Sequence, residues 1–197
     1  MKKLGLVRGV PNRGIGSVSF NREQILTNAR FAGSVTRYHT WPTHQVQDVG
    51  GHTWQLFRIY LTIFGPLSPV VSTYLIWHDA GELALGDLPF PVKSLSPRLK
   101  SICDTVENVA VVKMGGKVIK LSPQEKLRTK CVDLIEMLEF GLVEFQMGNK
   151  LAQPIIDDIS TAIERLYELM SEEDQEAVRK YVYGSVKALG YDNICAL

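Results

Sequence analysis

Cysteine is scarce. Cys103, Cys131 and Cys195 are the only three among 197 residues, and no Cys-x-x-Cys spacing occurs. An odd, scattered set argues against a disulfide framework or a zinc ribbon and fits reduced thiols in a cytoplasmic protein. Charge of either sign is nearly balanced as well, 22 Lys+Arg against 21 Asp+Glu for a net +1. Nothing overall therefore draws the chain to nucleic acid or to an anionic membrane surface. No Gly-x-x-x-x-Gly-Lys pattern surrounds Gly115-Gly116, so that pair reads as a turn and not a phosphate loop. Internal repeats, low-complexity tracts and linker-like stretches are all missing. The N-terminus runs from Met1-Lys2-Lys3 into Gly5, Arg8, Gly9 and Pro11 before any apolar run, unlike a signal peptide. The one long apolar stretch, Leu56 to Trp77, could on paper reach the ~20 residues of a membrane span. Arg58, Gly65, Pro66, Ser68 and Pro69 interrupt it, and two buried helices joined by a Gly-Pro turn fit better.

With 45% hydrophobic and 22% charged residues, the chain has the composition of one compact domain. Residues 1–22, with four glycines and no period, read as an irregular arm; residues 23–197 read as the domain. Helix starts recur. Ser68-Pro69, Ser96-Pro97 and Ser122-Pro123 each place a serine cap before a first-turn proline. Glu125, three residues after Ser122, completes a capping box, and Ser171 with Asp174 forms a related start. The helices read are about 23–31, 51–64, 69–85, 97–112, 123–147, 154–170 and 172–189. Leu127, Cys131, Leu134, Ile135, Leu138, Leu142 and Phe145 form an amphipathic stripe at spacings of three and four. Residues 108–121 are the exception, where valines around the glycine pair leave room for a helix end and a short hairpin. The expected class is all-α.

The residues with distinctive chemistry are His52, the dipeptide His78-Asp79, and Asp133. Imidazole nitrogens with carboxylate oxygens suit a borderline divalent ion such as Co²⁺, Mn²⁺, Fe²⁺ or Zn²⁺. Ligands projecting inward from three helices are a workable way to build such a site in a bundle. Taken singly, each has a plainer reading, because a lone histidine on an apolar face is usually a hydrogen-bonded core residue. The segment around Asp79 adds weight. Leu75-Ile76-Trp77-His78-Asp79-Ala80-Gly81-Glu82-Leu83 reads as a buried helix, where an ionised aspartate costs several kcal/mol unless a cation or donors compensate it. Glu82, four after His78 and three after Asp79, would share their helical face.

His78-Asp79, then Glu82, then Gly86-Asp87-Leu88-Pro89-Phe90-Pro91-Val92-Lys93 resembles the active-site signature of the bacterial HD-domain 5′-deoxyribonucleotidases. It is similar also to the phage HD-domain deoxyadenosine triphosphate triphosphohydrolases. Arg37-Tyr38, fifteen residues before His52, resembles the family's upstream Arg-Trp pair. Lys130-Cys131-Val132-Asp133, with Gly148-Asn149 beyond, resembles the helix that donates the last aspartate. The likeness spans roughly residues 35–150. It implies an HD-domain helical bundle whose metal is held by His52, His78, Asp79 and Asp133. It implies further that Glu82 and Asp87 act on the water and leaving group, and that Arg37, Tyr38, Lys93 and Lys130 meet the substrate. Tyr38 departs from the family's tryptophan, which weakens the case for exclusion of ribonucleotides.

The implied activity is hydrolysis of the 5′ phosphoester of a deoxyribonucleotide. Between Lys93 and Val132 nine basic residues face three acidic ones, which leans toward a triphosphate over a monophosphate substrate. Adenine follows only from the likeness to the phage enzymes. A monophosphate-specific nucleotidase and a non-catalytic nucleotide sensor are the alternatives. The family's habit of assembling implies a homo-oligomer. Plainer readings apply to the neighbours: His39 and His44 as surface residues, Trp41 and Trp54 as core, Asp87 as a turn residue before Pro89, and Lys130 as a surface lysine. Glu136, Glu139 and Glu144 read as a solvated helix face or as structural pairs.

Overall fold

The computed structural model describes residues 25–89, 92–93 and 95–189. The arm at 1–22, Phe90, Pro91 and Cys195 lie outside the described residues. Among the described residues these α-helices follow one another: α1 (Ala29–Ala32), α2 (Val49–Phe64), α3 (Pro69–Trp77), α4 (Pro97–Lys113), α5 (Pro123–Gln146), α6 (Gln153–Tyr167) and α7 (Glu172–Ala188). Short 3₁₀ turns occupy Ala80–Leu83 and Lys150–Ala152. The serine caps behave as their spacing predicts. Ser68, Ser96, Ser122 and Ser171 each accept from the backbone N–H three residues on, and Glu125 closes the capping box.

Helix α5 is the axis of the molecule. Its buried Cys131, Val132, Ile135, Leu138 and Leu142 meet Leu56, Ile59 and Tyr60 of α2, Val71 and Leu75 of α3, Ile156, Ile159 and Ile163 of α6, and Val178, Val182 and Val186 of α7. Each fully buried aliphatic side chain contributes about 1.5–3 kcal/mol. Polar ties cross the same packing: Arg58 and Tyr181 both bond to Glu139, and Arg128 forks onto Asp174 at the start of α7. Among the described residues no helix is long and apolar enough to cross a membrane.

Four expectations are corrected. The segment read as one helix over 69–85 stops at Trp77, and a 3₁₀ turn begins at Ala80. In that turn the backbone of Gly81 lies so close to α4 that a Cβ there would sit 2.5 Å from the Glu107 carbonyl oxygen, an approach that glycine permits. The helix read at 23–31 is broken by Asn28, which is extended and caps Arg30. No hairpin forms at 108–121; α4 continues to Lys113, and the only β-type pairing among the described residues is the isolated bridge Thr36–Asp48. Trp41 and Trp54 are not core, being 39% and 68% exposed.

That bridge pinches off a loop over residues 37–47, reinforced by the Arg37 N–H donating to the Gln47 carbonyl. Buried Glu144 of α5 clamps the loop from below. Its carboxylate accepts from the backbone N–H of His44 (2.7 Å) and Gln45 (2.8 Å) and from Asn149 Nδ2 (2.9 Å), while Asn149 also reaches the Pro42 carbonyl. Burial by itself would raise the Glu144 carboxyl, but these three donors outweigh it and hold it below its ordinary value of 4.5.

Two predictions follow from this packing. Gly81→Ala should destabilise the fold by about 1–3 kcal/mol through overpacking against α4. Gly184→Ala, at an exposed position of helix α7 with nothing within 4 Å of the added carbon, should instead stabilise by up to about 1 kcal/mol. Urea unfolding of the two variants checks the opposite signs. For the clamp, a depressed folded pKa means that the unfolded chain binds more protons in the acid range. The contribution is then full above pH 4.5 and lost as pH falls through the folded value. The stability gap between wild type and Glu144→Gln should therefore narrow below pH 4.5, as read from unfolding midpoints across an acid series.

Candidate metal centre

The four residues expected to bind a metal converge from three places on the chain. His52 enters from the first turn of α2, His78 and Asp79 from the break after α3, and Asp133 from the middle of α5. Asp79 Oδ2 lies 3.2 Å from His78 Nε2 and 3.4 Å from His52 Nε2, and Asp133 Oδ1 lies 3.5 Å from His52 Nε2. One ligand atom each from His52, His78 and Asp133 falls within 4.8 Å of the others.

The two imidazoles carry the test of fit. Each has its Nδ1 engaged, His52 with Glu136 Oε2 at 2.7 Å and His78 with the Leu75 carbonyl at 2.9 Å. Each has a buried Nε2 with no hydrogen-bond partner. Two buried nitrogen atoms without partners, aimed at one point beside two carboxylates, are costly unless an electrophile fills the gap. Their Nδ1 bonds leave Nε2 as the ligand atom, the usual arrangement of a metal-bound histidine. The residues present therefore fit a divalent ion with nitrogen and oxygen ligands.

The electrostatics agree. Burial pulls His52 down, but the neighbouring carboxylates of Asp79 and Glu136 outweigh it and lift the imidazole to about 9. Burial raises Asp79, but His78, His52 and Arg37 together hold it well below the usual carboxylate range. A pocket that draws protons this strongly draws a cation for the same reason. Glu82 behaves oppositely. Burial first, then the charges of Asp79 and Asp87, push its carboxyl up to about 8, and its Oε2 has no partner.

The remaining expected residues surround this cluster. Arg37 Nη1 lies 3.3 Å from Asp79 Oδ2, and the arginine is 8% exposed. Tyr38 adopts φ 55°, a left-handed conformation that costs about 1–3 kcal/mol for a residue with a side chain. Two contacts hold it there: its N–H donates to Asp87 Oδ2 (3.0 Å), and its ring stacks on Phe140 with centroids 4.6 Å apart. Lys93 Nζ lies 3.1 Å from Glu107 and 4.0 Å from Glu82, tied between two carboxylates. Lys130 is an exposed lysine that pairs with Asp133 one turn on, at 2.7 Å. His39 and His44 are exposed, as their surroundings predict.

Sequence reasoning missed the supports. Glu136 and Glu144 are 2% and 1% exposed, so the solvated face expected of them is wrong and the structural pairing is right. Glu136 also accepts from Gln47 Nε2 at 2.6 Å. Glu107 and Phe140 gave no signal of their own. The one available clue was spacing, since 133, 136, 140 and 144 repeat at three and four along α5.

No curated protein matches the sequence. Among solved structures, the cyanophage S-2L HD phosphohydrolase DatZ, bound to dA and one catalytic Zn²⁺ ion, superposes with a TM-score of 0.66. It is 17% identical, over 81% of this chain and 95% of that one, and the likeness establishes an all-helical HD-type fold. The family model of the YfbR-like 5′-deoxynucleotidases matches residues 67–174, more than half of the chain. That span holds His78, Asp79, Glu82, Asp87, Lys93, Lys130 and Asp133, with Arg37, Tyr38 and His52 before it. The chain thus belongs to the YfbR-like 5′-deoxynucleotidase family and is a metal-dependent phosphohydrolase of the HD type.

Proposed function

We propose that this chain hydrolyses the 5′ phosphoester of deoxynucleoside triphosphates, dATP foremost, releasing deoxynucleoside and triphosphate. The observation that carries the hydrolytic reading is the pair of unpartnered imidazole nitrogens, flanked by Asp79 and Asp133 and touched by Arg37. Metal ligation falls to His52, His78, Asp79 and Asp133. Zn²⁺, Co²⁺, Mn²⁺ and Fe²⁺ all suit this donor set. A divalent ion held there would lower the pKa of water and polarise a phosphoryl oxygen.

The protein's own groups supply the rest. Glu82, with a free buried oxygen and a proton affinity near neutrality, accepts the proton of the attacking water. The phosphorus–O5′ bond breaks as the new phosphorus–oxygen bond forms, and the departing O5′ takes up a proton. Asp87, fixed against the Tyr38 backbone, supports the water network there. Arg37, Lys93 and Lys130 neutralise charge on the phosphate oxygens, each released from a carboxylate it now faces. Tyr38 walls a small recess shared with Trp41, Phe140 and Ile155.

Adenine and the triphosphate rest on two supports: the deoxyadenosine seen in the phage relative, and the excess of basic residues between Lys93 and Val132. The second reading is a monophosphate-specific 5′-deoxynucleotidase, releasing deoxynucleoside and phosphate. Self-association belongs to the same proposal; Trp54 and Leu61 stand exposed seven residues apart on α2.

Chromatographic product analysis with Co²⁺ or Mn²⁺ separates the readings, with each dNTP and dNMP run beside its ribose counterpart. Deoxyadenosine with intact triphosphate, abolished by Asp79→Ala, is the expected result. Turnover of monophosphates alone would make the protein a nucleotidase. No metal-dependent turnover of either would overturn the hydrolytic assignment.

A further inference from the structure

His52 and His78 present their Nε2 atoms to one cluster, but the two rings are held by different means. His78 follows α3 directly, and its Nδ1 bonds to a carbonyl of its own helix, that of Leu75. Local backbone geometry therefore settles its ring. His52 sits in the first turn of α2, and its Nδ1 bonds to no carbonyl of its own helix. Its Nδ1 partner comes from another helix: Glu136 of α5, one turn beyond Asp133, at 2.7 Å. His52 is fully buried and Glu136 is 2% exposed.

We infer that Glu136 is a positioning residue of the metal centre, holding the His52 ring so that Nε2 faces the cluster. Its second oxygen accepts from Gln47 Nε2 at 2.6 Å, so both oxygens are engaged and the carboxylate has little freedom to turn. A carboxylate at Nδ1 keeps the proton on that nitrogen and leaves the Nε2 lone pair for a cation. Without it, the buried ring loses what selects its tautomer and its orientation. Gln47 closes the loop that begins at Arg37, so the same carboxylate joins the metal ligand to the segment carrying the anion-binding arginine.

This inference rests on the metal reading of the cluster and not on the choice of nucleotide. Its test is therefore Co²⁺ binding without substrate, by calorimetric titration and by the visible absorption of the bound ion. Glu136→Ala should weaken Co²⁺ binding about 10–100-fold and alter the absorption bands. Glu136→Gln, whose amide oxygen still accepts from Nδ1, should lose less. Glu139→Ala, which removes another glutamate of α5 that ties α2 to α7 and has no bond to the cluster, should lower the unfolding midpoint yet bind Co²⁺ as the wild type does. Wild-type affinity and an unchanged spectrum in both Glu136 variants would overturn the inference, as would an equal loss in Glu139→Ala. Absence of Co²⁺ binding by the wild-type protein would overturn the metal reading itself, whatever the nucleotide assays show.

Discussion

A fully buried imidazole held among three carboxylates is the constraint on which the rest of this molecule depends. His52 faces Glu136 on one nitrogen and Asp79 with Asp133 on the other. Three acidic groups so close together repel one another, and none could be buried in an apolar bundle without positive charge between them. Arg37, Lys130 and the imidazoles supply part of that charge. A divalent cation would supply the remainder, so the fold's least favourable cluster is also its chemical centre. This is the expected place for local rules to be broken.

Helix α5 converts that constraint into geometry. One face of it displays Asp133, Glu136, Phe140 and Glu144 in order, each serving a different purpose. Asp133 faces the cluster, Glu136 holds His52, Phe140 stacks on Tyr38, and Glu144 clamps the loop over residues 37–47. The opposite face of the same helix buries Cys131, Ile135, Leu138 and Leu142 in the core. Rigid aliphatic packing on one side thereby sets the placement of polar groups on the other. A site built from helix faces in this way is held more accurately than one built on loops.

The loop at 37–47 shows how an irregular segment is made dependable. It is closed by the Thr36–Asp48 bridge, clamped by Glu144 and Asn149, and strained at Tyr38. Strain at a residue of the site persists only where surrounding contacts over-determine it, and Asp87 and Phe140 provide that here. Arg37 and Tyr38 thus keep their positions although no regular element carries them.

Much of this was legible in the residues themselves. Caps and apolar spacing located α2, α4, α5, α6 and α7 to within a few residues, because capping and periodicity are local properties. The identities of His52, His78, Asp79 and Asp133 pointed to one cluster, and the structure brings the four side chains together. Tertiary structure alone decided the rest. Glu136, Glu139 and Glu144 look alike in sequence, yet the first bonds a buried histidine, the second ties α2 to α7, and the third holds a loop. Lys93 became a half-buried partner of Glu107, and the chain leaves the helix after Trp77 before Gly81 meets α4. Burial and pairing belong to two surfaces at once, and a sequence read along one strand of chain names only one of them.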